Sequence, residues 1–248
     1  EAYRVAAASD GLLPAGEFAA RGLPLPDDQP PDPPAAIRVL VDETDRYLAR
    51  LTGPGLAEVR AGLARARNGP ITPAPPAPNP VRDAHLPAAL AALAPDRPGL
   101  AAAIAGAAPH LHWVAYDAYD PAQIGAAFLD GHAFASLVGE SGAALPARDF
   151  DLGLFLIAPH VFYRDHCHPA PELYAPLTGP HGWRFGPDRP LHLRAAHRPV
   201  WNPPHRPHAT KVGALPFLCL FAWTRDVSAP AGVVPATDHA AVEALRLG

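Results

Sequence analysis

Apolar residues recur at helical spacing in the first part of the chain. Between residues 35 and 51 they alternate with aspartate and arginine at intervals of three and four, which predicts an amphipathic helix. A second such stretch, Leu56–Ala66, is followed by an Asn-Gly pair, which commonly ends a helix. Two alanine-rich segments, residues 86–93 and 100–107, are also predicted to be helices.

Proline residues interrupt these helical segments. Residues 1–34 contain prolines at short intervals and leave room only for a short helix near residues 17–21. Residues 70–80 are so rich in proline that both a helix and a central strand are excluded, and we expect an extended linker there. The pattern therefore predicts a helical, proline-punctuated N-terminal region over residues 1–107.

After His110 the pattern changes to short apolar runs separated by glycine and proline. Such runs cover residues 111–116, 153–163, 172–177, 191–196 and 217–223. Short apolar runs bounded by turn residues are typical of strands. Many short strands after a helical segment predict a small barrel or sandwich over residues 108–248, so the expected fold class is mainly β, preceded by α-helices.

Composition and charge narrow the class of protein. The chain has 248 residues, of which 49% are hydrophobic and 18% charged, as is typical of a globular protein. Its net charge of −4 and its thinly spread lysine and arginine residues provide no basic surface for a nucleic acid. It lacks an apolar run long enough to cross a membrane, so we expect neither nucleic acid nor membrane as a partner.

Two further features bear on the cellular compartment. The start of the chain lacks the basic and then apolar order of a secretory signal, which favours a cytoplasmic location, although an export signal removed earlier would leave no trace. Cys167 and Cys219 are too few for a disulfide framework, so we expect both to be reduced.

Histidines are concentrated in one part of the chain, where eight of the thirteen lie between His160 and His208. The segment HCHPAPELYAPLTG, residues 166–179, begins with two histidines that are two residues apart. Residues at this spacing lie on the same face of a strand, so His166 and His168 can present both imidazoles to the interior of a barrel. Metal binding is the leading explanation for this concentration.

Two more residues are expected to complete a metal site. Glu172 follows a pair of prolines, which predict a turn before the chain re-enters on a neighbouring strand. His208 comes from a later strand, and His205 is the competing choice for that position. Imidazole and carboxylate ligands suit one divalent metal ion, and Zn, Fe, Mn, Co and Ni are all compatible with them.

The segment 166–179 resembles the first sequence motif of the cupins, and His208 after its proline-rich corner resembles the second. This likeness implies a cupin barrel, also called a double-stranded β-helix or jelly roll. A narrower pattern is formed by seven positions, Tyr163, His166, His168, Glu172, Tyr174, His208 and Trp223. With these positions the chain resembles, over about residues 110–226, the cupin-type bacterial dimethylsulfoniopropionate lyases.

The resemblance implies a carbon-sulfur lyase that cleaves dimethylsulfoniopropionate, a small zwitterion, into dimethyl sulfide and acrylate by β-elimination. It implies that Tyr174 is the general base, that Tyr163 assists, and that the metal ion binds the substrate carboxylate. A sulfonium cation suits aromatic faces, for which the candidates are Trp223, Trp183, Trp201 and Tyr163. Lys211 is a further candidate, as a contact for the carboxylate.

Several alternatives remain open from the sequence. Cupins host many reactions, so a different metal-dependent enzyme, such as an Fe(II) dioxygenase or an isomerase, competes with the lyase. A non-catalytic cupin that senses a small molecule is the third alternative. His166 is either a direct metal ligand or a hydrogen-bonding neighbour of the ligands. A homodimer is compatible with all of these.

Overall fold

The structure is a computed structural model that describes residues 32–247. Its larger helices lie in the first half of the chain, where the sequence pattern predicts them, and the helix predicted near residues 17–21 lies outside the described residues. The helices are α1 Pro33–Leu48, α2 Leu56–Ala66, α3 Pro80–Leu93, α4 Pro98–Ala107, α5 Pro121–Ile124, α6 Ala126–Asp130 and α7 His239–Ala244.

The start of α3 differs from the prediction, which began this helix at residue 86. The Asn79 side chain accepts a hydrogen bond of 2.9 Å from the backbone N–H of Arg82 and so caps the helix. Pro80 is tolerated at the first helical position because its missing N–H would have no partner inside the helix. The helix continues through Pro87 to Leu93.

The second half of the chain forms two β-sheets. The first has the strand order β2-β1-β3-β10-β5-β8 and the second has the order β11-β4-β9-β6-β7. All neighbouring strands are antiparallel except the β1–β2 pair. The strands are β1 His132–Gly139, β2 Leu145–Pro146, β3 Asp151–Ile157, β4 Phe162–Cys167, β5 Glu172–Pro176, β6 His181–Arg184, β7 His192–Arg194, β8 Val200–Asn202, β9 His208–Lys211, β10 Phe217–Trp223 and β11 Gly232–Val233.

Side-chain alternation on β3 separates two hydrophobic layers. Leu154 and Leu156 pack with residues of the N-terminal helices, such as Ile37 on α1. Phe155 and Ile157 belong to a second apolar cluster inside the barrel, as period-two alternation requires. The helices and the first sheet thus share one core, and the packing is continuous across residue 107.

The predicted fold class, a cupin barrel preceded by helices, is confirmed. The prediction and the structure differ mainly in short elements. The segment 111–116, predicted as a strand, makes only an isolated bridge between Val114 and Phe134. The elements that were not predicted are strands β1, β2, β6, β8 and β11 and helices α5, α6 and α7. No helix among the described residues combines the length and the apolar character needed to cross a membrane.

The predicted turn before Glu172 is confirmed. Strand β4 ends at Cys167 in one sheet, and β5 begins at Glu172 in the other. His208, the first residue of β9, pairs with His166 on β4. The chain therefore brings two histidines from one sheet and a glutamate from the other to the same end of the barrel.

Candidate active site

Three imidazoles converge inside the barrel. Ring nitrogens of His166, His168 and His208 all lie within 4.8 Å of one another, and all three residues are buried. The His166 and His208 rings have centroids 4.1 Å apart, and His168 and His208 are 5.2 Å apart. The structure thus brings together the three histidines singled out from the sequence, and leaves the competing residue His205 exposed to solvent.

Backbone carbonyls set the orientation of each ring. The Nδ1 atoms of His166, His168 and His208 lie 2.8, 2.8 and 2.9 Å from the carbonyl oxygens of Arg164, Ala170 and Arg206. A carbonyl oxygen can only accept, so each Nδ1 must carry a hydrogen and donate it. In the neutral ring this leaves a lone pair on every Nε2. All three Nε2 atoms are buried without a hydrogen-bond partner.

Glu172 faces the same point. Its Oε2 lies 3.4 Å from His168 Nε2 and 3.1 Å from His208 Nε2. Asn202 Nδ2 donates to Oε2 at 3.1 Å, and Trp223 Nε1 donates to Oε1 at 2.8 Å, so both carboxylate oxygens are held in place by hydrogen bonds.

The protonation states follow from these contacts. Burial alone would raise the pKa of Glu172, but the neighbouring imidazoles of His168 and His208 outweigh burial and hold that pKa well below its usual value. Burial lowers the pKa of His166 well below its usual value, and the two other histidines lower it further. An ionised carboxylate therefore faces at least one neutral imidazole.

These residues fit a divalent metal ion. When the imidazoles are neutral, the lone pairs of the three Nε2 atoms and of the Glu172 carboxylate point at one another without a donor between them, which is unfavourable unless a proton or a metal ion occupies the space. Two ligand atoms held at about 2.1 Å from one ion in tetrahedral geometry are about 3.4 Å apart. The Glu172–histidine separations of 3.4 and 3.1 Å are close to this value. His166, His168, Glu172 and His208 are thus the residues suited to hold the metal.

A cavity of about 210 Å³ opens beside this group. This volume equals the space of about seven water molecules, so it admits only a small ligand. Glu172, Tyr163, Tyr174 and Trp223 line it, and all four were singled out from the sequence. Most of the remaining wall is aromatic, from Tyr116, Tyr119, Phe128, Phe134, Phe155 and Phe221.

The tyrosines of the cavity are buried and mutually connected. Tyr163 stacks on the His166 ring with centroids 3.8 Å apart, and its hydroxyl lies 2.6 Å from that of Tyr119. Burial raises the pKa of Tyr163 and of Tyr174 well above the usual value, and for Tyr174 the charge of Glu172 adds to this. Without a nearby cation, each phenol is therefore expected to keep its proton.

Three residues proposed from the sequence for substrate contact lie away from the cavity wall. Trp183 is fully buried and packs against Tyr174, with ring centroids 5.6 Å apart. Trp201 packs into the core shared with the helices. Lys211 donates from Nζ to the backbone carbonyls of His160, at 2.6 Å, and Glu243, at 2.8 Å. It is three positions after His208, so strand alternation turns it to the opposite face.

Sequence reasoning missed three polar residues of the cavity, Tyr116, Tyr119 and Asp151. Tyr119 lies in an irregular segment, where no periodicity indicates its direction. Asp151 is the first residue of β3, and the sequence pattern started that strand at Gly153. If the predicted strand had begun two residues earlier, alternation would have placed Asp151 on the same face as Gly153 and Phe155.

The cost of burying the Asp151 carboxyl group is poorly offset by its neighbours. We therefore predict that the stability of the protein depends on pH. Burial raises its pKa from 3.8 to about 7, although a hydrogen bond from Ser136 acts in the opposite direction. Between about pH 4 and pH 7 the folded chain keeps a proton that the unfolded chain has released. Stability from this group is therefore present at low pH and lost as the pH rises through about 7.

We expect Asp151→Asn to be more stable than the wild type at pH 8, and nearly equal to it at pH 4. The difference of about three units between the pKa of Asp151 in the folded and in the unfolded chain corresponds to at most about 4 kcal/mol in the free energy of unfolding. Denaturant unfolding of both proteins at the two pH values measures this. Equal stability at pH 8 would contradict the assigned environment of Asp151.

Comparisons with known proteins give a consistent picture. Residues 59–219 match the family model described as dimethylsulfoniopropionate lyase. The dimethylsulfoniopropionate lyase DddQ of Ruegeria pomeroyi is 31% identical over 111 residues. That alignment covers 44% of this chain and 53% of the relative, so the chain spans about half the length of the curated relative it matches.

Solved structures agree on the fold. A chain from the crystal structures of the DMSP lyases RdDddP and RnDddQII matches with a TM-score of 0.66 and 22% identity, covering 82% of this chain and 100% of its own length. The crystal structure of DddQ from Ruegeria pomeroyi matches with a TM-score of 0.58 and 25% identity, covering 82% of this chain and 97% of its own.

Proposed function

This chain belongs to the dimethylsulfoniopropionate lyase family, and from that premise we propose that it cleaves dimethylsulfoniopropionate into dimethyl sulfide and acrylate. The observation that supports this most directly is the convergence of three unpartnered Nε2 atoms and the Glu172 carboxylate on one side of a small aromatic cavity. A metal centre facing a small, largely aromatic pocket suits a small anionic ligand whose carboxylate can reach the ion.

His166, His168, Glu172 and His208 would hold one divalent ion. When bound, such an ion supplies positive charge that attracts the substrate carboxylate and lowers the pKa of a neighbouring phenol. The chain's own contribution is orientation: three carbonyls fix the imidazoles, while Asn202 and Trp223 fix Glu172.

Tyr174 is the proposed general base. Its side chain lines the cavity from β5, on the same strand as Glu172 and two residues beyond it. Its phenolate oxygen takes a proton from the carbon next to the substrate carboxylate. The electron pair of that C–H bond becomes the carbon-carbon double bond of acrylate, and the carbon-sulfur bond breaks with its pair passing to sulfur. Dimethyl sulfide leaves as a neutral molecule, and the proton remains on Tyr174.

The energetic demand on Tyr174 is large. An ordinary phenol with a pKa near 10 needs about 4 kcal/mol of stabilisation to ionise at pH 7. Burial in this cavity increases that demand, since it raises the pKa of Tyr174 further. Tyr174 can therefore act as the base only when a metal ion occupies the neighbouring site.

Tyr163 is proposed to assist from strand β4 in the other sheet. Its hydroxyl is paired with that of Tyr119, so the two phenols form a short hydrogen-bonded chain along the cavity wall. The Tyr163 ring lies between His166 and Phe128, which holds its hydroxyl in one position. Tyr119 acts through Tyr163 as a positioning residue.

We expect Tyr119→Phe to lower kcat by about 2- to 10-fold, because it removes one hydrogen bond worth about 0.5–1.5 kcal/mol. KM should change less than kcat if the bond orients Tyr163 rather than the substrate. Steady-state kinetics over a range of pH measures both constants. A kcat equal to that of the wild type at every pH would show that the hydroxyl pair has no part in turnover.

The proposal as a whole is tested by incubating purified protein of known metal content with dimethylsulfoniopropionate. We expect dimethyl sulfide in the headspace and acrylate in solution in equal amounts. A metal-loaded protein that releases neither product would exclude the lyase, and would favour another cupin enzyme or a sensor.

A further inference from the structure

The cavity contains a second carboxylate, that of Asp151, which the proposed reaction does not use. The strand register places three cavity residues in one row across the first sheet. Trp223 on β10 pairs with Asp151 on one side and with Glu172 on the other. Neighbouring strands are about 4.8 Å apart, so the backbones of the two acidic residues are separated by about 10 Å, with the indole between them.

No cation in the described part of the chain compensates Asp151. Its Oδ2 accepts a hydrogen bond of 3.1 Å from Ser136 Oγ, while its Oδ1 is buried and has no partner. The groups that act on its pKa are burial, Ser136, a backbone amide and Glu140, and none of them carries positive charge. A buried carboxylate without a counter-charge is costly, and such costs are concentrated at functional sites.

The space beside Asp151 is suited to a cation without hydrogen-bond donors. Phe134, Phe221 and Trp223 line the cavity together with it. Aromatic faces and one negative charge attract an onium group, whereas an ammonium or a guanidinium group would also need acceptors for its N–H groups. The other acceptors on the cavity wall are the tyrosine hydroxyls and the Glu172 carboxylate, which already accepts hydrogen bonds from Asn202 and Trp223.

We propose that Asp151 is the counter-charge for the cationic end of the substrate, so that the cavity recognises a zwitterion at both ends. The metal-binding group with Glu172 is at one end of the row, Asp151 is at the other, and Trp223 is the residue between them. This inference rests on the proposed function and adds to it the basis of selectivity for a sulfonium ligand over a neutral carboxylate of the same shape.

The kinetic consequence is specific. The positive charge on sulfur disappears as the carbon-sulfur bond breaks, so Asp151 stabilises the bound substrate more than the transition state. Its removal should therefore weaken binding without slowing the chemical step. We expect Asp151→Asn to raise KM for dimethylsulfoniopropionate by about 10- to 100-fold, as for the loss of a partly screened ion pair, with kcat unchanged or higher.

A binding experiment tests this independently of turnover. Calorimetry on the metal-loaded protein compares 3-(trimethylammonio)propionate with 4,4-dimethylpentanoate, a pair of the same shape that differs in one positive charge. We expect Asp151→Asn to weaken the cationic ligand by about 10- to 100-fold and to leave the neutral ligand nearly unchanged. The control is Glu140→Gln, which removes an exposed carboxylate near Asp151 but outside the cavity wall and should change neither affinity appreciably.

The outcomes separate the two proposals. If Asp151→Asn weakens both ligands equally or neither, or if the wild type binds neither, the role of Asp151 is refuted, whatever the lyase assay gives. If the cationic ligand alone is weakened but no dimethyl sulfide is ever formed, the charge recognition stands and the lyase function fails. A fall in kcat with unchanged KM would also overturn the assignment.

Discussion

Tyr174→Phe is expected to reduce the release of dimethyl sulfide by about 10²- to 10⁴-fold, the range typical for loss of a general base. The change removes one oxygen atom and keeps the ring that packs against Phe155, Trp183 and Phe217. The fold and the metal-binding residues should therefore be preserved. Headspace measurement of dimethyl sulfide, together with metal analysis of the same sample, checks both statements.

The matched control is Tyr47→Phe. Tyr47 is another buried tyrosine, on α1, whose hydroxyl lies 3.0 Å from His197 Nδ1 and whose pKa is also raised by burial. It belongs to the core between helices and sheet and does not line the cavity, so the activity of Tyr47→Phe should be that of the wild type. Equal activity of Tyr174→Phe and Tyr47→Phe would remove Tyr174 from the mechanism, and loss of metal in Tyr174→Phe would indicate a role as ligand.

His208→Gln is expected to lose both bound metal and activity. His208 contacts all three other proposed ligands. Its Nε2 lies 3.1 Å from Glu172 Oε2, and its ring contacts those of His166 and His168. Loss of an outer hydrogen-bonding partner alone commonly lowers metal affinity 10- to 100-fold, so loss of a direct ligand should lower it by at least about 100-fold. Metal analysis after dialysis measures this, with circular dichroism as the check on folding.

His205→Asn is the control for that variant. His205 is exposed, lies three residues before His208, and has a positive φ of 60°, which asparagine tolerates. Metal content and activity should match those of the wild type. A loss of metal in His205→Asn comparable to that in His208→Gln would contradict the identification of the ligands.

The parts of the site that the sequence predicts are those governed by strand alternation. His166 and His168, two residues apart, present their rings to one point, and Tyr174 shares a face with Glu172. The same rule also applies to Lys211, which lies an odd number of residues from His208. It predicts that the Lys211 side chain points away from the barrel interior, as it does in the structure. Substrate contact at Lys211 was proposed from its chemistry alone, and alternation was the stronger signal.

The remaining parts depend on long-range contacts that no local pattern encodes. Tyr119 reaches Tyr163 across 44 residues, and it does so from a segment without regular structure. Asp151 and Glu172 are aligned only through Trp223, whose register with both strands follows from the order of the sheet. Trp201 packs against the N-terminal helices, because these helices cover one face of the first sheet. The sequence pattern did not indicate which face the helices cover.

The central claim is that a metal ion at the histidine group is required for cleavage of dimethylsulfoniopropionate. It is tested most directly by stripping the protein with a chelator and titrating it with Zn, Fe, Mn, Co or Ni while dimethyl sulfide is measured. We expect the stripped protein to be inactive and the rate with at least one of these ions to rise in proportion to occupancy, up to one ion per chain. A rate that survives complete removal of metal, or the absence of product at full occupancy with every ion, would contradict the claim.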